Sequence, residues 1–189
     1  MPSFRDIVYG IYGAWCVARR DPGAMAYFER TAEGFWKSFF ATAIVAPGYA
    51  LVMIFDLSDI EVEAGALRIF LVQSCGFVIG WTAFPIAVHH VCGLIDKKEA
   101  FIGYIVAFNW AKVIQIAVFL PVIGLIALDI LPGPWSGLLR WAVLFLILGY
   151  EWLITRTALG VSAMGAVGFV VLDLVIDLTI HAVTISMIR

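Results

Sequence analysis

Charge is scarce in this sequence. Only 14% of its 189 residues are Asp, Glu, Lys or Arg, against about a quarter in an ordinary soluble domain. Twelve basic residues face fourteen acidic ones, a formal net charge of −2. No polycationic face exists to drive counterion release, so nucleic acid is not an expected partner. Cysteine is sparse as well: Cys16, Cys75 and Cys92 are odd in number and widely spaced, which does not make a disulfide framework. A cleavable signal is not expected either, because Arg5, Asp6, Arg19, Arg20 and Asp21 interrupt every apolar stretch of the first 34 residues. The first membrane span is therefore expected to act as its own signal. No enzyme motif and no cofactor motif stands in the chain.

What the sequence has instead is apolar length. Hydrophobic residues make up 63% of it and the mean hydropathy is +1.00, more apolar surface than a water-soluble fold can hide. A helix needs about 20 largely apolar residues to cross about 30 Å of hydrocarbon. Five segments meet that requirement: Trp36 to Phe55, Leu67 to Ile95, Phe101 to Leu128, Leu138 to Leu159 and Ser162 to Ile188. Pro47-Gly48, Pro85 and Pro121 are expected to bend the first three, and Leu131-Pro132-Gly133-Pro134 reads as a rigid turn into the fourth. The expected fold is an all-α polytopic membrane bundle of five transmembrane helices, residues 36–189. A cytoplasmic interfacial segment, residues 1–35, precedes it.

Lys and Arg accumulate in cytoplasmic loops. With the N-terminus inside, Arg5, Arg19, Arg20, Arg30, Lys37, Lys97, Lys98 and Arg156 fall on the cytoplasmic side, and Arg68, Arg140 and Arg189 outside. Eight against three sets the orientation, with the C-terminus outside. Every charge in the outer loop from Asp56 to Glu63 is acidic. Trp36 and Trp152 mark the inner interface, Trp135 and Trp141 the outer.

Before the first span, Phe4, Ile7, Val8, Ile11, Trp15 and Ala18 recur at helical spacing. This is the pattern of an amphipathic helix lying in the membrane interface, or of one packed on the protein's own helices. Asp21-Pro22 offers an N-cap and a proline at the first position of a second short helix, with Met25, Phe28, Ala32 and Phe35 on one side.

An ionisable side chain at the bilayer centre costs at least about 2.5–3.5 kcal/mol, so each one within a span needs a reason. Asp173, Asp177 and His181 are four apart and share one face of the fifth span; Asn109, Lys112 and Gln115 are three apart and form a slanted stripe on the third. Both spans run in the same direction. Lys112 lies eleven residues past Phe101, and Asp173 eleven past Ser162. At about 1.5 Å per residue both are roughly 16 Å deep. The pattern predicts that Lys112 pairs with Asp173 and that Gln115 lies near Asp177. One cation then faces two carboxylates. The surplus acid must be protonated, neutralised by His181 as imidazolium, or balanced by a bound cation. A Lys–Asp pair that merely fixes helix register is the plainer reading; a proton relay or cation pathway is the functional one.

The other polar residues carry less. Glu151 and Arg156, five apart near the cytoplasmic end of the fourth span, are read as snorkelling to the interface. His89 and Cys92, in His89-His90-Val91-Cys92, supply two ligands, too few for zinc. Gly160, Gly165 and Gly168, with Ser162, Ala163 and Ala166, give the fifth span a small-residue packing face. Ser162, His181 and Asp177 hold the atoms of a hydrolase, but Ser162 and His181 are 19 residues apart on one helix, about 28 Å, and cannot touch. The protein is expected to be non-enzymatic, with no cofactor and no bound metal.

Asp21-Pro22, the aromatic entry Phe35-Trp36 and the basic inner hairpin Cys92-Gly93-Leu94-Ile95-Asp96-Lys97-Lys98-Glu99-Ala100-Phe101 resemble bacterial members of the Yip (Ypt/Rab-interacting) family over about residues 20 to 187. The Asp-Leu-Tyr-Gly-Pro motif of that family's eukaryotic members is absent. The resemblance implies a five-span protein of the bacterial inner membrane with a cytosolic N-terminus. It would be a scaffold or accessory subunit whose partners are the lipid bilayer and other membrane proteins or a second copy of itself. The alternative is a proton- or cation-coupled permease using Lys112, Asp173, Asp177 and His181.

Overall fold

A computed structural model describes residues 1–58, 63–130 and 133–189. All regular structure among the described residues is helical, with no strand. Helix α1 covers Phe4–Ala18, followed by a short 3-10 turn at Ala24–Tyr27; then come α2 (Ala32–Ser38), α3 (Phe40–Ser58), α4 (Ala66–Leu94), α5 (Lys98–Ala127), α6 (Gly133–Leu159) and α7 (Ala163–Ile188). Five helical segments are long and apolar enough to cross a membrane, with α2 and α3 together supplying the first, Ala32–Leu57. Pro47, Pro85 and Pro121 stand inside α3, α4 and α5. Membrane helices tolerate such breaks because neighbouring side chains take up the freed backbone groups. Gly133 and Pro134 open α6 as its first residues, where proline is at home; Leu131 and Pro132 of the expected turn lie outside the described residues. So do Asp59, Ile60, Glu61 and Val62 of the acidic loop.

The bundle is organised on α5, which packs against α1, α2, α3, α4 and α6, while α7 packs against α4 and α6. Gly76 is where α4 meets α7 closely, since a Cβ there would lie 2.7 Å from Thr184 Cγ2; Gly48 does the same for α3 against Ile116 of α5. The glycine and alanine face expected on α7 makes no close contact at Gly168, where an added Cβ would meet no neighbouring element within 4 Å among the described residues. Two links tie the bundle's ends. Lys97 Nζ donates to the Gly160 carbonyl at 3.5 Å between the α4–α5 and α6–α7 turns, and Ala64 N donates to Ile188 O at 3.1 Å at the opposite end. Gly160 closes α6 with φ +59°, a backbone conformation that glycine adopts without strain. Leu67, Phe70, Val78, Phe145, Leu146 and Val175 are all exposed on the bundle's outside. That distribution suits lipid and not water.

The N-terminal segment departs from the sequence pattern. A helix does form at Phe4–Ala18. Ser3 caps it: Ser3 Oγ accepts from Asp6 N at 3.2 Å, and Asp6 Oδ2 accepts from Ser3 N at 2.8 Å. The hydrogen bond from the Ser3 backbone, with Lys37 nearby, holds the Asp6 carboxyl below its ordinary range. Its contribution to the cap is therefore present at neutral pH and is lost as pH falls through that lowered value.

The buried face of α1, however, is Gly10, Gly13, Ala14, Cys16 and Val17, set against α5 and α6, while Phe4, Val8 and Trp15 are exposed. Small residues win the contact because they let two backbones approach. A Cβ on Gly10 would run into the indole of the buried Trp110, and the Tyr150 hydroxyl donates to the Ala14 carbonyl at 2.7 Å. The expected second helix after Asp21-Pro22 is also divided. Asp21 Oδ1 accepts from Gly23 N at 2.8 Å and starts the 3-10 turn, whereas α2 begins separately, capped by Thr31 Oγ1 on Gly34 N at 3.0 Å. Lys37 gathers this segment by ion pairs to Glu33 (2.8 Å), Glu29 (3.1 Å) and Asp6 (3.5 Å).

Candidate functional site

Lys112 projects from α5 toward α7 and α6. Its Nζ lies 3.0 Å from Asp173 Oδ2 and 3.0 Å from Glu151 Oε1, with its charge 4.6 Å from the centre of the Phe108 ring. Both carboxylates are buried, Glu151 at 3% and Asp173 at 4% exposure. Gln115 Nε2 donates to the same Glu151 oxygen at 3.1 Å. Each carboxylate taken out of water thus meets a charge-assisted hydrogen bond, the condition under which a buried ion pair is tolerated.

One expectation is corrected here. Glu151 is not at an interface: it closes the Lys112 pair from the α6 side, while Arg156, one turn on, is exposed with its guanidinium 4.9 Å from the Trp152 ring centre. Gln115 lines the same cavity as Asp177, and its amide donates to Glu151. Asn109 leaves the stripe. Its amide donates to the buried Ser38 Oγ at 2.9 Å, joining α5 to the α2–α3 junction.

Beyond this cluster, toward the end where α7 terminates, lies a cavity of about 410 Å³ with walls from α3, α4, α5, α6 and α7. Asp177 and His181 stand along its α7 wall, both exposed. Among the described residues Asp177 has no hydrogen-bond or ion-pair partner; Lys112 is already shared by two other acids. Toward the opposite end the bundle is filled. Tyr104, Ile105, Ile154 and Phe169 are buried there, and the Tyr104 hydroxyl lies 3.0 Å from Thr155 Oγ1, which donates to the Glu151 carbonyl at 2.8 Å. The site therefore has a packed floor and an acidic wall above it. Lys112, Gln115, Glu151 and Asp173 form the floor; Asp177 and His181 sit one and two turns higher on α7.

Among the described residues no group of three or more His, Cys, Asp or Glu is placed to hold a metal ion. His89 rests edge-on against Phe101 at 5.0 Å, His90 Nδ1 lies 2.8 Å from the Ile86 carbonyl, and Cys92 is buried.

Fold and site together define a helical membrane-type bundle with a polar cluster and a cavity inside its apolar helices. Comparison of the chain with protein-family models, with curated proteins and with solved structures finds no match.

Proposed function

We propose that this chain is a small proton- or cation-coupled permease, lying in a bacterial inner membrane with its N-terminus cytoplasmic and its C-terminus outside. The orientation rests on the eight-to-three distribution of Lys and Arg. The observation that carries the transport reading is Asp177, a carboxylate with no hydrogen-bond or ion-pair partner among the described residues, on the wall of a cavity within the spans. Three acids line that cavity, Glu151, Asp173 and Asp177, against one lysine. Charge balance at such a place is met by a proton or by a cation from outside the protein, and a group that exchanges one for the other is what a coupled carrier needs.

The Yip-like scaffold remains a second reading, supported by the complete pairing of Lys112 with Glu151 and Asp173, which a structural strut also requires. It gives Asp177 and the cavity no use.

Proteoliposomes separate the two. Purified protein is reconstituted with a pH-sensitive dye inside, and proton, Na⁺ and K⁺ fluxes are followed under imposed gradients. The permease is expected to give a pH-dependent flux that Asp177→Asn abolishes while the variant stays folded. Flux equal to that of empty liposomes for every one of these ions and for organic cations, with the wild-type chain, would remove the transport reading and leave the scaffold.

A further inference from the structure

We propose that the cavity's ligand is a monovalent organic ammonium with an apolar body, its charge on Asp177 and its body against the aromatic wall formed by Tyr49, Phe77 and Trp81. This inference rests on the permease reading and names the class of solute.

The wall is continuous. The Tyr49 and Phe77 rings are 4.7 Å apart and those of Phe77 and Trp81 6.1 Å apart, and all three line the cavity together with Phe84. Asp177 lines the same cavity as these rings and is within electrostatic reach of Tyr49, so carboxylate and aromatic side chains border one volume. Rings present their negative faces to cations. The cavity already holds one such contact, Lys112 over Phe108.

Other solute classes fit worse. An anion would meet a surplus of carboxylate. A divalent metal finds no group of three ligands among the described residues. A sugar needs many free polar groups, yet the Asn109 and Gln115 amides are committed to Ser38 and Glu151, and the Thr184 hydroxyl donates to the His181 carbonyl. A bare alkali ion would leave the aromatic wall idle. At about 410 Å³ the space falls in the range of pockets that enclose small organic molecules, roughly 300–1,000 Å³.

The test uses two probes of nearly the same shape and different charge, benzyltrimethylammonium and neopentylbenzene, with benzenesulfonate as the anionic control. Binding to the purified full-length chain in detergent is followed by calorimetry and by tryptophan fluorescence. Benzyltrimethylammonium is expected to bind at least about tenfold more tightly than either control. Asp177→Asn should lose about tenfold, Asp177→Glu should retain binding, and Phe77→Leu should weaken the cation by about threefold to tenfold. Since Asp177 has no hydrogen-bond or ion-pair partner among the described residues, its variants should elute and melt as the wild type does. Equal binding of cation and neutral isostere, or no loss in Asp177→Asn, overturns the inference. Failure here alongside a proton or Na⁺ flux in proteoliposomes rejects the ammonium and keeps the permease. Ammonium binding without any flux, of the ammonium included, rejects the permease and keeps the site.

Discussion

Replacing Lys112 with methionine is expected to destabilise the folded chain by about 3–5 kcal/mol, the loss typical when one partner of a buried ion pair is removed and its counter-charge stays behind. Here two counter-charges stay behind, because Glu151 and Asp173 both lie 3.0 Å from the ammonium. The double variant Lys112→Met with Asp173→Asn should therefore recover only part of the loss, as Glu151 would keep Gln115 alone. Adding Glu151→Gln should recover most of it, since neutral amides need no cation. Denaturation of the purified protein in mixed micelles, by heat or by added SDS, reads all three. A Lys112→Met midpoint equal to that of the wild type would mean that the cluster is not held together by this lysine.

The second large effect is expected at Gly10→Leu. A Cβ at Gly10 already collides with the ring of Trp110, which is buried on α5, so a larger side chain must push α1 away from α5 and α6. Overpacking of a close contact costs about 1–3 kcal/mol. The displacement should also strain the Tyr150 hydrogen bond to Ala14. A chain retaining Cys16 as its one cysteine gives an independent reading. That thiol is 4% exposed in the native packing and should resist maleimide, whereas Gly10→Leu should make it reactive. Continued protection of Cys16, with unchanged stability, would show that α1 does not depend on this contact.

How much of this was legible in the sequence divides along physical lines. The five long apolar helices follow from bilayer thickness, which forces each span to be written as an unbroken apolar run. The Lys112–Asp173 pair was reachable by counting residues along two parallel helices, because rise per residue is fixed and depth is therefore a sequence property. Glu151 was reachable by the same count. It stands eight residues from Leu159, about 12 Å in at 1.5 Å per residue, only slightly shallower than Lys112. Its neighbour Arg156 drew it to the interface by association, and the span's own direction argued otherwise.

The Gln115 partner was not legible, since depth alone places it near either Glu151 or Asp177 and helix rotation decides. The N-terminal helix misled for a further reason. In water the large apolar residues mark the buried face, but beside lipid Phe4, Val8 and Trp15 can stay outside while Gly10, Gly13 and Ala14 make the contact. No residue pattern announced the cavity. It arises where α5 and α7 face each other across a gap bridged by Lys112, a consequence of packing among five helices.

The most direct test of the account is whether water reaches Asp177. In a background with Cys16, Cys75 and Cys92 replaced, Asp177→Cys is exposed to a membrane-impermeant methanethiosulfonate in sealed, oriented vesicles, with Val175→Cys, on the outward face of the same helix, as the lipid-facing control. The account predicts that Asp177→Cys is modified from the side of the C-terminus and that Val175→Cys is not. An Asp177→Cys thiol as inert as Val175→Cys from both sides would contradict it.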